Sequence, residues 1–236
     1  MDIRARIKVY ADGASKEEMV NRYRKGGVDG FTTNPTLMVK AGIRNYERFA
    51  VDVLSEIQNL PISFEVFSDE FNEMELQAMK IGSWAKNVNV KIPITNTRGE
   101  ASLPLIRRLL DRGLKLNVTA LLTDRQIDGL HEILEPGDDV IVSIFAGRIA
   151  DTGVDPIPVM KRAVQLYKDL PDVKILWASP REVLNIYQAA DAGCHIITAS
   201  DQLIEKLSLN GKPLEAFSLE TVKMFYDDAV GAGFTL

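Results

Sequence analysis

The sequence predicts a single (β/α)8 barrel of the TIM type with one extra helix at its C-terminal end. Three observations carry that expectation. Short β-branched runs alternate with amphipathic helical stretches along the chain, eight strands can be counted, and 236 residues suit one such domain. Strict alternation of strand and helix calls for a parallel sheet. Eight repeats in one domain favour closure into a barrel over an open doubly wound sheet.

The strands are expected at Ile7–Asp12, Gly30–Asn34, Ile62–Phe67, Val88–Ile94, Lys115–Leu122, Val140–Phe145, Val173–Ser179 and His195–Ala199. Helical patterns lie between them, at Lys16–Lys25, Asn45–Asn59, Asn72–Ala85, Ala101–Arg112 and Ile157–Leu170. Gly26-Gly27 and Gly113 read as helix ends, and Pro136-Gly137 as the turn before the sixth strand. Thr123-Asp124 offers a cap for a helix starting near Arg125. No linker, low-complexity segment or charge block marks a second domain, so residues 1–236 are expected to form one. The tail reads as a helix over about 214–232, with Leu219, Val222, Phe225 and Tyr226 on its apolar face. That face is expected to cover the barrel bottom or a neighbouring subunit.

Composition narrows the function. At 46% hydrophobic and 26% charged, the chain can bury a core that needs neither disulfide nor metal. A formal net charge of −5 argues against a nucleic-acid groove. Cys194 is the single cysteine, which excludes an intrachain disulfide and points to a reducing compartment. Met1-Asp2-Ile3-Arg4 lacks the apolar run of a signal peptide, and no stretch has membrane-span length. A cytoplasmic protein that binds no nucleic acid and no membrane is therefore expected. His131 and His195 are too few for a zinc site or a serine–histidine triad, and both read as structural. No cofactor or metal is called for. The catalytic groups are to be sought among Lys, Asp, Glu, Asn and Thr.

Side chains on a strand alternate between its faces, and in a barrel one face meets the helices while the other fills the interior. Val88, Val90 and Ile92 oppose Asn89 and Lys91; Leu116, Val118 and Ala120 oppose Asn117 and Thr119. Ile62, Phe64 and Val66 alternate with Ser63 and Glu65, Val9 and Ala11 with Tyr10 and Asp12, and Val142 and Ile144 with Ser143 and Phe145. The polar faces should point inward. One polar residue at a strand end is ordinarily just solvated. Burying Asp12, Glu65, Lys91, Asn117 and Thr119 together is costly unless they satisfy one another or a ligand. A lysine in a desolvated pocket has a lowered pKa and a usable amine, which can attack a ketone and form an iminium. The iminium is an electron sink for cleaving the adjacent carbon–carbon bond, and Asp12, Glu65 and Thr119 can move the protons. Arg148 after the sixth strand, with Ser179 and Arg181 after the seventh where a helix should begin, suits a phosphate.

These residues resemble the transaldolase family, which includes the bacterial fructose-6-phosphate aldolases. The resemblance runs from Val9-Tyr10-Ala11-Asp12 to about Ser200. Its most specific pieces are Thr32-Thr33-Asn34-Pro35-Thr36-Leu37 and Val90-Lys91-Ile92-Pro93-Ile94-Thr95. Asn117-Val118-Thr119, Ser143-Ile144-Phe145 through Arg148, and Ala178-Ser179 with Arg181 follow in order. The resemblance implies Lys91 as the Schiff-base lysine, Asp12 as general acid/base, and Glu65 with Thr119 holding a catalytic water. It also implies Asn34, Asn117 and Ser143 around a dihydroxyacetone unit, and Arg148, Ser179 and Arg181 on a phosphate. Aldolases of the family that release dihydroxyacetone tend to carry Gln at the position of Glu65 and Tyr at that of Phe145, so both residues favour transfer. The implied reaction converts sedoheptulose 7-phosphate and glyceraldehyde 3-phosphate to erythrose 4-phosphate and fructose 6-phosphate. A homo-oligomer, a pentameric ring or a decamer, is also implied.

Gly13 stands where the family usually has Thr, and Pro180 where an aromatic residue is common. The segment from Asp151 to Pro158 and the tail after Lys206 match no family pattern. Two alternatives stand beside transfer: a fructose-6-phosphate aldolase-like lyase, and a catalytically inactive barrel that binds sugar phosphates. An isomerase on a similar barrel would need a carboxylate or histidine base and no buried lysine.

Overall fold

A computed structural model describes residues 3–236. The strands are β1 (Lys8–Asp12), β2 (Gly30–Thr32), β3 (Ile62–Glu65), β4 (Val88–Pro93), β5 (Leu116–Leu121), β6 (Val140–Ile144), β7 (Val173–Trp177) and β8 (Ile196–Ala199). All neighbours pair in parallel and β8 returns to β1, closing the expected barrel. The helices are α1 (Lys16–Lys25), α2 (Pro35–Lys40), α3 (Tyr46–Glu56), α4 (Phe71–Gly82), α5 (Leu103–Asp111) and α6 (Asp124–Ile133). They continue as α7 (Ala146–Asp151), α8 (Ile157–Leu166), α9 (Leu184–Asp191), α10 (Asp201–Glu205) and α11 (Leu214–Gly231). None is long and apolar enough to cross a membrane, among the described residues.

Most strands end earlier than their apolar runs suggest. Asn34, Phe67 and Ser179 were expected inside strands, yet β2, β3 and β7 stop at Thr32, Glu65 and Trp177. The apolar run measures burial, whereas the ladder stops where the chain turns outward to build loops over the barrel's C-terminal end. Two short helices, α2 and α7, were not expected; six residues are too few to show a 3.6 period. For α2 the signal was present in another form. Asn34 Oδ1 accepts from Leu37 N at 2.9 Å, and Pro35 opens the helix with its fixed φ.

The outer layer follows from spacing. In α5 the buried residues Leu105, Ile106, Leu109 and Leu110 recur at i, i+1, i+4 and i+5, one face of a helix. Burying each contributes roughly 1.5–3 kcal/mol. The outward face of β4 meets α4, where Gly82 is so close to Val90 and Leu114 that a Cβ would lie 3.2–3.4 Å from their methyl and methine carbons. Inside the barrel Tyr10 lies against Gly30: a Cβ there would sit 2.6 Å from the phenol ring, so the glycine makes room for it.

The chain divides into two compact units, Met1–Ile204 and Glu205–Leu236. The first contains the whole barrel. The second contains α11, found where the sequence placed it, with Leu219, Val222, Phe225 and Tyr226 all exposed.

Thr123 caps α6 through a full capping box: its Oγ1 accepts from Gln126 N while Gln126 Oε1 accepts from Thr123 N at 3.1 Å. Thr123→Ala is expected to lower unfolding free energy by about 1 kcal/mol with no change in denaturant slope, as measured by urea titration.

Candidate active site

Parallel register sets the constellation. Asp12 pairs with Thr32, Thr32 with Ser63, Glu65 with Lys91, and Lys91 with Asn117. Paired residues share a face, so Glu65, Lys91 and Asn117 stand side by side on β3, β4 and β5. Lys91 is 6% exposed. Its Nζ lies 3.0 Å from Glu65 Oε2 and donates to the Thr33 carbonyl at 3.1 Å. A buried ammonium costs several kcal/mol unless paired, and here a carboxylate and a carbonyl offset that cost.

Asp12 occupies different ground. Burial holds its carboxyl above the ordinary range, against the opposing pull of the Lys91 charge and a hydrogen bond from Thr32. Thr32 Oγ1 donates to Asp12 Oδ1 at 2.8 Å and lies 2.5 Å from Thr198 Oγ1. Because the single Thr32 proton goes to Asp12, Thr198 is the donor in the second bond. Two hydroxyls in series thus aim the carboxylate. Beside it Gly13 leaves open space, since a Cβ there would meet nothing within 4 Å.

Asn117 is fully buried and locked at both ends of its amide. Its Nδ2 donates to Ser63 Oγ at 2.9 Å, and Ser143 Oγ donates to its Oδ1 at 2.7 Å. Thr119 is also buried, and its hydroxyl has no hydrogen-bond partner among the described residues. Next to it β5 changes register against β6, with Ala120 at φ +63°. Such a bulge re-aims neighbouring side chains at a strand's end.

The loops after β6 and β7 hold the arginines. Phe145 precedes α7, and the Arg148 guanidinium lies over its ring at 5.8 Å. Arg181 Nε donates to Asp151 Oδ1 at 3.0 Å, with a second contact from Nη2 to Oδ2. Arg181 and, more weakly, Arg148 hold the Asp151 carboxyl below its usual range. The helix expected near Ser179 and Arg181 starts only at Leu184, because Asn185 Oδ1 accepts from Arg181 N and Glu182 N and keeps that segment a turn. Ser179 sits at φ +62°, before Pro180. Gly147 packs on it so tightly that a Cβ would fall 1.5 Å from the Ser179 carbonyl oxygen.

Asp12 and Glu65 end their strands, Lys91, Thr119 and Ser143 lie in the second halves of theirs, Asn117 is the second residue of β5, and Asn34, Phe145, Arg148, Ser179 and Arg181 follow β2, β6 and β7. Asn34 is tied by its cap, with its Nδ2 uncommitted to that bond. Sequence reasoning missed Thr32, Thr198 and Asp151, and saw Ser63 without giving it a role. Ser63 was findable, two residues before Glu65 on the same face; Asp151 belongs to a segment without pattern. The histidines serve packing: His195 Nδ1 accepts from Ile175 N at 3.0 Å, and His131 meets Tyr167 edge to face.

A closed parallel barrel with a buried lysine, two carboxylates and an amide network at its C-terminal end is an (β/α)8-barrel enzyme. Comparison with known proteins makes the class specific. The family model described as "Transaldolase/Fructose-6-phosphate aldolase" matches residues 9–234, so the likeness does not stop near Ser200 but takes in the Asp151–Pro158 segment and the tail after Lys206, and the chain belongs to that family. It is 30% identical over 223 residues to a "Probable transaldolase" of Bdellovibrio bacteriovorus, covering 94% of this chain and 97% of that one. It is 34% identical over 215 residues to a "Probable transaldolase 2" of Listeria monocytogenes, covering 89% and 94%. Among solved structures, "QR15, an Aldolase" superposes with a TM-score of 0.57 at 13% identity, over 89% of this chain and 99% of that one. A dihydrodipicolinate synthase from Rhodopseudomonas palustris superposes with a TM-score of 0.59 at 12% identity, over 96% and 80%. At such identities the two structures speak to the fold alone.

Two outcomes are expected from this geometry. A carboxyl raised in the folded state contributes stability below its unfolded value and loses it as pH rises through the folded value. Asp12→Asn should therefore melt higher than the parent at neutral pH, and the gain should shrink toward acid pH in a thermal-unfolding series. Gly147→Ala should cost about 1–3 kcal/mol by displacing the Ser179 loop, measured by denaturant unfolding.

Proposed function

We propose that the protein is a transaldolase: it transfers a dihydroxyacetone unit from a ketose phosphate to an aldose phosphate through a Schiff base on Lys91. The observation that carries the proposal is Lys91 itself, 6% exposed and set between Glu65 and the Thr33 carbonyl. In this reading the amine gives its proton to a neighbouring carboxylate and attacks the ketose carbonyl, and loss of water leaves an iminium. Asp12, whose raised pKa suits it to hold a proton, takes the proton from the hydroxyl of the next-but-one carbon. The carbon–carbon bond then breaks, the aldose phosphate leaves, and an enamine remains on Lys91. An incoming aldose phosphate accepts the enamine carbon, Asp12 returns the proton, and water releases the new ketose.

The other roles follow from free valences. Thr119 has an uncommitted hydroxyl close to the lysine strand, since it pairs with Pro93 two residues beyond Lys91. With Glu65 it would hold the water that forms and breaks the iminium. Asn117, locked by Ser63 and Ser143, and the free Nδ2 of Asn34 would bind the dihydroxyacetone hydroxyls. Arg148 and Arg181, already sharing Asp151, would hold the phosphate with Ser179. The curated relatives carry transaldolase names, which favours transfer over release. Glu65 and Phe145 favour it too: with phenylalanine rather than tyrosine, no phenol stands ready to protonate the enamine. Sedoheptulose 7-phosphate with glyceraldehyde 3-phosphate is the proposed substrate pair. The exposed apolar face of α11 suits a homo-oligomeric assembly.

Fructose 6-phosphate alone should yield little free dihydroxyacetone, and adding erythrose 4-phosphate should start rapid formation of sedoheptulose 7-phosphate. Rapid acceptor-independent release would establish a lyase instead. Asp12→Asn is expected to reduce kcat by about 10²–10⁴-fold in the coupled assay, leaving substrate binding largely intact.

A further inference from the structure

The N-terminal ends of the strands, opposite the end that carries Lys91, line an open cavity of about 750 Å³. In barrels of this class that end is ordinarily filled by packed side chains. Here two polar groups line it from inside. Tyr10 and Asn89 are 4% and 6% exposed, yet neither the phenol hydroxyl nor the carboxamide is among the buried, unpartnered polar atoms, so both polar ends open onto the cavity rather than being sealed from it. Held by largely buried side chains and facing the open cavity, the two polar ends are placed to hydrogen-bond a ligand that enters it.

The rest of the lining is basic. Lys8, Lys115 and Lys174 stand at the starts of three strands, with Arg4 and Arg6 from the preceding segment, against the two carboxylates Asp29 and Asp139. Five cations in one cavity stand out in a chain of net charge −5. Several of the charges are already engaged: Asp29 accepts from Val9 N at 2.8 Å, Asp139 lies 3.9 Å from Lys115 Nζ, Arg6 pairs with Asp191 at 2.5 Å, and Lys174 Nζ spends one of its three donors on the Pro171 carbonyl. Burial lowers the pKa of His195, which also lines the cavity, and the charges of Lys174 and Lys8 lower it further.

We propose that this cavity binds a small phosphorylated polyol, its hydroxyls on Tyr10 and Asn89 and its phosphate on Lys8, Lys115 and Lys174. Ammonium groups at an exposed rim hold a phosphate as point charges. The buried phenol and carboxamide take the neutral end, and the volume accommodates a small-molecule ligand. The site is separate from the catalytic one yet built on the same strands. Tyr10 and Asn89 each precede a residue of the active layer, Asp12 and Lys91, by two positions on the same face, roughly 6–7 Å along the strand.

Sorbitol 6-phosphate tests this directly, because it has no carbonyl and cannot form a Schiff base. Calorimetric titration of the parent should reveal a site that weakens at least about tenfold in Lys8→Glu/Lys174→Glu, and with rising salt. The same site should survive in Arg148→Ala/Arg181→Ala. Asn89→Leu should weaken sorbitol 6-phosphate while leaving inorganic phosphate binding nearly unchanged, which separates recognition of the polyol from simple charge. No binding in the parent at tens of millimolar, or binding insensitive to the lysine variant, would overturn the proposal. The readout is binding at the far end of the barrel, so failure of the transferase chemistry would leave it unaffected.

Discussion

The ion pair of Lys91 with Glu65, closed inside the barrel, is the interaction on which the rest of the site depends. Both residues must reach the interior at the same height, which requires β3 and β4 to be parallel and in the register that pairs them. The strand end carrying Glu65 is fixed from outside: Tyr46 donates from its hydroxyl to the Glu65 carbonyl at 2.7 Å. Tyr46 in turn packs edge-on against Phe64 and Phe67 and tilted against Trp84. Helix α3, which begins at Tyr46, therefore anchors a residue of the active layer through its first turn.

Two carboxylates share the interior and live under different conditions. Glu65 faces an ammonium directly. Burial holds the Asp12 carboxyl above the ordinary range, and a chain of two threonine hydroxyls aims it. Paired acids in unlike surroundings are how one site divides acid and base work at a single pH. The amide of Asn117, by contrast, has its Oδ1 and one amide proton spoken for, so it acts as a fixed wall. Such rigidity suits the proposed chemistry, in which a reactive enamine would be held in one orientation.

The barrel was legible because two periods, 2 and 3.6, alternate cleanly along the chain, and because Lys91, Glu65, Asn117 and Asp12 interrupt apolar strands on one face only. Strand ends were less legible: hydrophobicity reports burial, and Asn34 and Ser179 adjoin apolar residues after their ladders have stopped. The short helix α7 was hidden for a related reason. Its start depends on Gly147 fitting against the Ser179 carbonyl, a contact between loops 32 positions apart. Thr198 went unread because β8 is apolar around it, and only barrel closure brings it beside Thr32. Asp151, between two arginines, carries no pattern of its own; its meaning lies wholly in where α7 ends.

The central claim is that Lys91 forms the covalent intermediate. Reduction with borohydride in the presence of fructose 6-phosphate, followed by peptide mapping, tests it most directly. A three-carbon dihydroxyacetone or six-carbon ketose adduct on the peptide containing Lys91, absent without sugar and absent in Lys91→Ala, is the predicted result. An unmodified Lys91 peptide from active protein, or an adduct confined to another lysine, would contradict it.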